Sequence, residues 1–258
     1  MNYENILVEY ENSVATIILN RPNVMNALNS QMRAELTDAV TRYSKEARVL
    51  VLTGSGNAFC SGQDLGDGNS LQSVDLERTL RDEYEPLIRA IFNSPIPTVT
   101  ALNGAAAGAG ANLALAADIV IAKSSAYFVQ AFSRIGLIPD VGGTYFLPRA
   151  MGLAKAIGSS IFADKIMAAE AHEIGLIYEY VEDVNYDIHL KSRVEYLANG
   201  PTVAFAGIKT AMRKSLNNSL DEQLELEAKL QKKCGNTRDF QEGVLAFHEK
   251  RDSKFEGR

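Results

Sequence analysis

The stretch PTVTALNGAAAGAGANLALAADIVIA, residues 97–122, passes from a strand-like run through Gly104, Gly108 and Gly110 into an Ala/Leu-rich helical segment. A strand followed by Gly-x-Gly and a helix invites a dinucleotide-binding reading. Its details exclude one. The third glycine of that fingerprint is missing, the strand comes late in the chain, and Asp118 follows too soon to be the ribose-binding acid expected about 20 residues on. Two readings of the glycines stay open on these residues alone. Small side chains allow tight packing of helix on strand. They equally let a ligand approach the backbone around Ala109, where the first N–H groups of a helix lack intrahelical partners and favour negative charge.

Upstream, Ile6 to Tyr10 and Val14 to Leu19 read as two strands joined by a turn at the polar pair Glu11 and Asn12, and Asn20-Arg21-Pro22-Asn23 stops the second. Met32, Leu36, Ala39, Val40 and Tyr43 recur at helical spacing after the caps Asn29 and Ser30. Val49 to Gly54 is a continuous apolar run, the pattern of a strand covered on both faces. Leu76, Leu80, Tyr84, Leu87, Ile88 and Ile91 predict a helix over about 74–92, which Pro86 should kink or break. Beyond Gly143 strand signals thin out, and helices over 202–216 and 220–233 dominate up to the basic tail KRDSKFEGR. The expected organisation is an α/β core over residues 1–200 and a helical C-terminal portion over 201–258.

A chain of 258 residues with 46% apolar content can bury a full core in one main domain. Its net charge of -6 and pI near 5.2 argue against a nucleic-acid surface, which needs a clustered basic face. An anionic ligand would need local positive charge. Cys60 and Cys234 lie far apart, and the opening MNYENILVEYEN carries acids and no basic cluster, so neither a disulfide framework nor a targeting peptide is expected. A cytoplasmic protein fits both observations. The stretch Ala101 to Ala117, dense in Gly and Ala, falls short of the roughly 20 apolar residues a membrane span requires.

A second loop, GNAFCSGQDLGDG at 56–68, follows the strand at 49–54. Cys60 invites a nucleophile reading, yet none of His172, His189 and His248 lies in a partner motif, so a small buried thiol is expected. Asp64 should cap or tie the loop through nearby amides. In GLIPDVGGTY, residues 136–145, a single acid, Asp140, stands between Pro139 and a Val-Gly-Gly-Thr run. It reads as the N-cap of a following helix or as a group that moves a proton.

Five segments in order, NRPNVMNALN (20–29), AFCSGQDL (58–65), NGAAAGAGANLALAADIVIA (103–122), FVQAFSRIGLIPDVGGTYFLPRAMG (128–152) and FHEKRDSKF (247–255), together resemble the enoyl-CoA hydratase/isomerase, or crotonase, superfamily over nearly the whole chain. The resemblance implies a ClpP-like superhelix of strand-strand-helix repeats with two roughly perpendicular sheets. It also implies a helical C-terminal region that assembles a homotrimer or a hexamer built as a dimer of trimers. The implied substrates are acyl-CoA thioesters, coenzyme A being part of the substrate, with no separate cofactor and no metal. By motif position two backbone amides, those of Gln63 and Ala109, form an oxyanion hole, with Ser61, Gly62, Leu65 and Gly108 around them. Val24, beside the turn at Arg21, matches residues used around the adenine and pantetheine. Phe247 and Lys250 match a C-terminal Phe and Lys that reach the ligand, often from a neighbouring subunit; a solvated charged tail at Lys250, Arg251 and Lys254 is the competing reading. The loop from Gly66 to about Arg81 should border the acyl pocket.

Hydratases of the family use two glutamates, in Gly-Gly-x-Glu-Leu and Gln-Pro-Glu contexts. Here Asn112 and Phe132 stand in those places, and neither can donate and accept a proton near neutral pH. That leaves Asp140. The AGAGA-x-LAL, FV-x-AF and GLIPD-x-GGT runs are similar to the branch that isomerises epoxyphenylacetyl-CoA in bacterial phenylacetate breakdown, where the matching Asp is regarded as the acid/base. One carboxylate suffices for isomerisation, removing a proton at one carbon and returning it at another. The expectation is an isomerase that moves a double bond or rearranges a ring epoxide, in a pocket lined by Phe132 and Ile138. The rivals are a hydratase with atypical acid/base residues and a non-catalytic member that binds acyl-CoA.

Overall fold

The computed structural model describes residues 3–66 and 75–258. Val74, the expected start of a helix, and half of the loop expected to border the acyl pocket, residues 67–74, lie outside the described residues. Strands β1 (Ile6–Glu11) and β2 (Val14–Leu19) pair antiparallel. Their turn is Asn12-Ser13, with φ of 50° and 65°, one residue later than the sequence suggests. Positive φ at both central residues gives the mirror-image turn whose twist matches paired strands. Helix α1 (Ser30–Glu46) starts at Asn29, whose side chain accepts the Met32 N–H at 2.8 Å. It buries Met32, Leu36, Ala39 and Val40.

After β3 (Val49–Gly54) and β4 (Ala58–Cys60) the chain enters α2 (Leu76–Thr79), a wide turn over residues 80–84, and α3 (Glu85–Phe92). Pro86 does not end this helical run. The wide turn closes through the Glu85 N–H on the Leu80 carbonyl, five residues back, and Pro86 then falls in the first turn of α3, where a missing N–H is tolerated. There follow β5 (Thr98–Leu102), β6 (Ala105–Ala107), α4 (Ala109–Leu115), β7 (Ile119–Lys123), β8 (Tyr127–Val129), α5 (Gly143–Met151) and α6 (Leu153–Phe162). The chain closes with β9 (Lys165–Met167), α7 (Ala168–Glu173), β10 (Glu179–Val181), α8 (Tyr186–Asn199), α9 (Thr202–Ser215), α10 (Leu220–Gly235) and α11 (Arg238–Glu249).

Two sheets result, in the orders β1-β2-β3-β5-β7-β10 and β4-β6-β8-β9. Each successive turn of chain sends one strand to the first sheet and the next to the second: β3 and β4, β5 and β6, β7 and β8. This is the superhelix of strand-strand-helix repeats. Strands of three residues in the second sheet are too short to show a period-2 signal, so the sequence reading misses them.

The first sheet is covered on both sides. Val49, Val51, Val99, Ala101 and Ile121 pack with Tyr186, Val194 and Leu197 of α8, while Leu50, Leu52, Leu102 and Val120 join the larger core with α1, α3 and α4. Two-sided burial is why β3 reads as unbroken apolar sequence. Each such fully buried Val or Leu contributes about 1.5–3 kcal/mol. Asp118, excluded above as a ribose acid, accepts the Thr98 N–H and hydroxyl and pairs with Lys209 at 2.6 Å and Arg213 at 2.8 Å, tying α9 to the core. No helix among the described residues is long and apolar enough to cross a membrane.

Candidate active site

Residues 61–64 run beside the turn that precedes α1. Ser61 donates its N–H to Met25 O at 2.9 Å, Leu28 to Gly62 O at 2.8 Å, and Asp64 to Leu28 O at 3.1 Å. This parallel bridge between Leu28 and Gln63 uses the peptide groups flanking Gln63, which leaves the Gln63 N–H directed to the opposite side. Gly62 has φ of 101°, and a Cβ there would lie 2.9 Å from Ala107 O and 3.5 Å from the Ala109 nitrogen. The segments that carry the Gln63 and Ala109 amides therefore abut. Gly108 caps α4 at φ of 51° and donates its N–H to Val129 O, with the buried Phe132 ring 3.8 Å from where its Cβ would be. Beneath them Cys60 is fully buried and its thiol is pushed up to about 12 by burial, so it is inert as a nucleophile.

The Gln63 side chain is clamped. Its Oε1 accepts from Arg33 Nη1 at 2.9 Å and from the Tyr84 hydroxyl. Arg33, 2% exposed, also donates to Leu28 O at 2.7 Å and to Glu83 Oε2 at 2.6 and 2.9 Å, and lies over the Tyr84 ring. Burial holds the Tyr84 phenol above its ordinary range, so it stays a neutral donor. The sequence reading passes over Arg33 and Glu83 and takes Tyr84 for core. The available signal is Arg33 next to Met32 on the buried face of α1, a charge that must find partners.

Asp140 does not cap a helix with its side chain. Helix α5 begins at Gly143 after the N-cap Gly142, which has no side-chain cap, and it is the Asp140 backbone carbonyl that accepts the Gly143 N–H at 2.8 Å. The same carbonyl accepts Asn112 Nδ2 at 2.8 Å. Carboxylate oxygen Oδ1 is buried and has no hydrogen-bond partner among the described residues. The residue lines a cavity of about 520 Å³ with Tyr84, Ile88, Phe92, Tyr145 and Phe146. Burial pushes the carboxyl up to about 6, opposed by a bond to its own backbone. A carboxylate poised near neutral pH, with one oxygen free of hydrogen bonds among the described residues, is suited to accept and return a proton. Tyr84 links the two halves of the site, lining the Asp140 cavity while its hydroxyl holds Gln63.

Of the residues in the hydratase glutamate places, Asn112 is fully buried, with Oδ1 accepting Gln130 Nε2 at 2.9 Å. Phe132 packs beside Gly108 and is not part of the cavity wall, whereas Ile138 is. Arg81 also lines the cavity, at the far end of the loop expected there.

The outer residues divide. Val24 is exposed, and its carbonyl accepts the Ser61 hydroxyl at 3.2 Å, so these two meet. Leu65 is exposed on the same loop. Asp64 ties that loop, pairing with Arg21 at 2.7 Å and accepting the Gly66 N–H at 3.0 Å. Phe247 is 81% exposed on α11, and Lys250 ends that helix at φ of 54°. Neither is among the described residues that line the Asp140 cavity. Arg251 is committed to Glu242 and Glu249. His172 bonds to Tyr178 O and His189 to Glu179, both outside the cavity, as His248 is. Among the described residues no group of three or more His, Cys, Asp or Glu could hold a metal.

A family model described as enoyl-CoA hydratase/isomerase matches residues 9–258. The chain is 57% identical over 258 residues, all of both proteins, to one of Rhodobacter capsulatus named "Probable enoyl-CoA hydratase". It is 42% identical over 260 residues, 99% of each, to the 1,2-epoxyphenylacetyl-CoA isomerase of Escherichia coli. Its fold matches the crystal structure of an enoyl-CoA hydratase from Bacillus anthracis with a TM-score of 0.91 at 30% identity, covering 99% of this chain and 100% of that one.

Proposed function

Because the chain belongs to the enoyl-CoA hydratase/isomerase family, whose members act on acyl-CoA thioesters, we propose that it is an acyl-CoA isomerase with Asp140 as its acid/base. The thioester oxygen accepts the Gln63 and Ala109 N–H groups. Asp140 takes the proton from the carbon next to the carbonyl, the electron pair moves onto that oxygen as an enolate, and the amides stabilise the charge. The protonated Asp140 then delivers the same proton two carbons further along, the C=C bond moves into conjugation, and the carboxylate is regenerated. With a ring epoxide the bond between the two oxygen-bridged carbons opens to a seven-membered ring that keeps the oxygen, and the same proton passes from the carbon next to the carbonyl to a ring carbon two positions further, so no atom is gained or lost. No cofactor is consumed, and coenzyme A enters only as part of the substrate.

The observation that carries this reading is the buried Asp140 carboxylate oxygen without a hydrogen-bond partner among the described residues, while Asn112 spends its amide on the Asp140 backbone. Hydration needs one group to activate water and another to protonate carbon; of the two carboxylates that line the cavity among the described residues, Glu85 is paired with Arg89 at 2.5 Å, which leaves Asp140. Aromatic walls at Tyr84, Phe92, Tyr145 and Phe146 suit a ring or a medium-length chain. Exposed apolar residues on the C-terminal helices, Met212, Phe240 and Phe247 among them, support assembly as a trimer or hexamer, which would place a partner copy's α11 near the coenzyme. Both cysteines are unpaired, which suits the cytoplasm.

The test is turnover on three substrates: 3-hexenoyl-CoA, the ring epoxide of phenylacetyl-CoA, and crotonyl-CoA. Isomerisation of either of the first two, lost in Asp140→Asn, supports the proposal. Hydration of crotonyl-CoA with no isomerisation, the activity in the name of the Rhodobacter relative, refutes it.

A further inference from the structure

The backbone around Asp140 is strained. Val141 has φ of 51°, a left-handed conformation in which a β-branched side chain crowds its own backbone, and Gly142 follows at 84°. Such a turn persists only when its surroundings over-determine it. Two donors do so here, both on the Asp140 carbonyl: the Gly143 N–H and Asn112 Nδ2, each at 2.8 Å. Asn112 is also wedged against Gly143, where a Cβ would lie 2.3 Å from Nδ2 and 2.8 Å from Oδ1. Glycine at 143 is what lets the amide reach the carbonyl.

An amide side chain can present either face, and Gln130 decides which. Its Nε2 donates to Asn112 Oδ1 at 2.9 Å, so the NH₂ face is the one left for Asp140. Gln130 is 2% exposed, and its own Oε1 is buried without a partner among the described residues. A core built for stability alone would not leave that acceptor unsatisfied. Asn112 sits in the first turn of α4, its N–H on Gly108 O at 3.2 Å, three residues beyond the Ala109 amide. One short helix thus carries both an oxyanion donor and the contact that holds the base.

We propose that Asn112 and Gln130 are positioning residues for the reaction. Gln130 orients the Asn112 amide, and Asn112 clamps the strained 140–142 turn so that the Asp140 carboxylate stays in the acyl cavity at a fixed distance from the enolate oxygen. This rests on the acid/base reading of Asp140 for its kinetic consequence, but the clamp itself is separately measurable. Tyr84, Arg81, Glu85, Arg89 and Tyr145 are the other titratable groups that line that cavity among the described residues, and Tyr145 meets the turn through its backbone, its N–H on Gly142 O at 2.9 Å.

The experiment follows the Asp140 carboxyl by NMR in protein carrying ¹³C-labelled Asp, with Asp140→Asn identifying its signal. In the natural protein it should titrate near 6. In Asn112→Ala the turn relaxes outward, and the midpoint should fall toward the ordinary value of 3.8. In parallel, kcat on 3-hexenoyl-CoA should drop by about 10- to 100-fold with KM changed by less than about twofold, since misplacing a reacting group by an ångström has that scale of cost. Gln130→Ala should move both readouts the same way by less, and it decides the matter if Asn112→Ala fails to fold. An unchanged midpoint in the folded variants overturns the proposal. Should Asp140→Asn turn over as well as the natural protein, the acid/base reading fails, while the titration still reports whether the clamp exists.

Discussion

Asp140→Asn should make the protein more stable while removing its activity. In the folded chain burial raises the carboxyl to about 6 against an ordinary value of 3.8. Between those two values the folded protein holds a proton that the unfolded chain has released, so this group's contribution to stability is fully present below about 4 and is lost as pH rises through about 6. At full desolvation the gap corresponds to about 3 kcal/mol. Asp140 keeps some solvent access, so screening reduces the penalty to about 1–2 kcal/mol. Asparagine keeps the shape and carries no charge, so the variant should recover that amount at pH 7.5, a rise in Tm of about 2–4 °C per kcal/mol for a chain of this size. Denaturant unfolding of both proteins at pH 7.5 and pH 4 measures it. A gain at pH 7.5 that vanishes at pH 4 fits a buried, unsatisfied carboxylate. A loss of stability at pH 7.5, or an equal gain at both pH values, would refute the reasoning.

The remaining expectations concern the rest of the site. Isomerase kcat/KM should fall as pH drops through about 6, because protonation removes the base; a pH-independent rate between 5 and 8 would contradict this. Gly62→Ala puts a methyl 2.9 Å from Ala107 O at φ of 101°, and the displaced Gln63 amide should cost about 10²-fold in kcat/KM, read by steady-state kinetics. Arg33→Met keeps most of the volume but strips Glu83, Gln63 and Leu28 O of their donor. It should lose about 3 kcal/mol in urea unfolding, and a loss below about 1 kcal/mol would mean the network is not structural.

Much of the site is legible in the chain because its parts are local. Gln63 and Ala109 are candidates by their place in motifs that resemble the family's, and Asp140 as the acid left where Asn112 and Phe132 stand in the places of that family's glutamates. Asn29 as a cap, Asp64 as a loop tie and Cys60 as a buried thiol are each a property of a few neighbouring residues. What the chain does not reveal is long-range. Tyr84 and Gln63 are 21 positions apart, and Asn112 and Asp140 are 28 apart, with no periodicity linking them.

The amino-acid sequence alone therefore determined the alternation of strand and helix, the glycines that open the backbone around Ala109, and which acid is available. These depend on side-chain period, backbone freedom and residue chemistry, all of which act over a few residues. Only the tertiary structure decided that the Asp140 side chain does not cap α5, because that depends on which atom meets the α5 amides. The carbonyl takes the hydrogen bonds, the side chain takes the burial, and a raised pKa is the result.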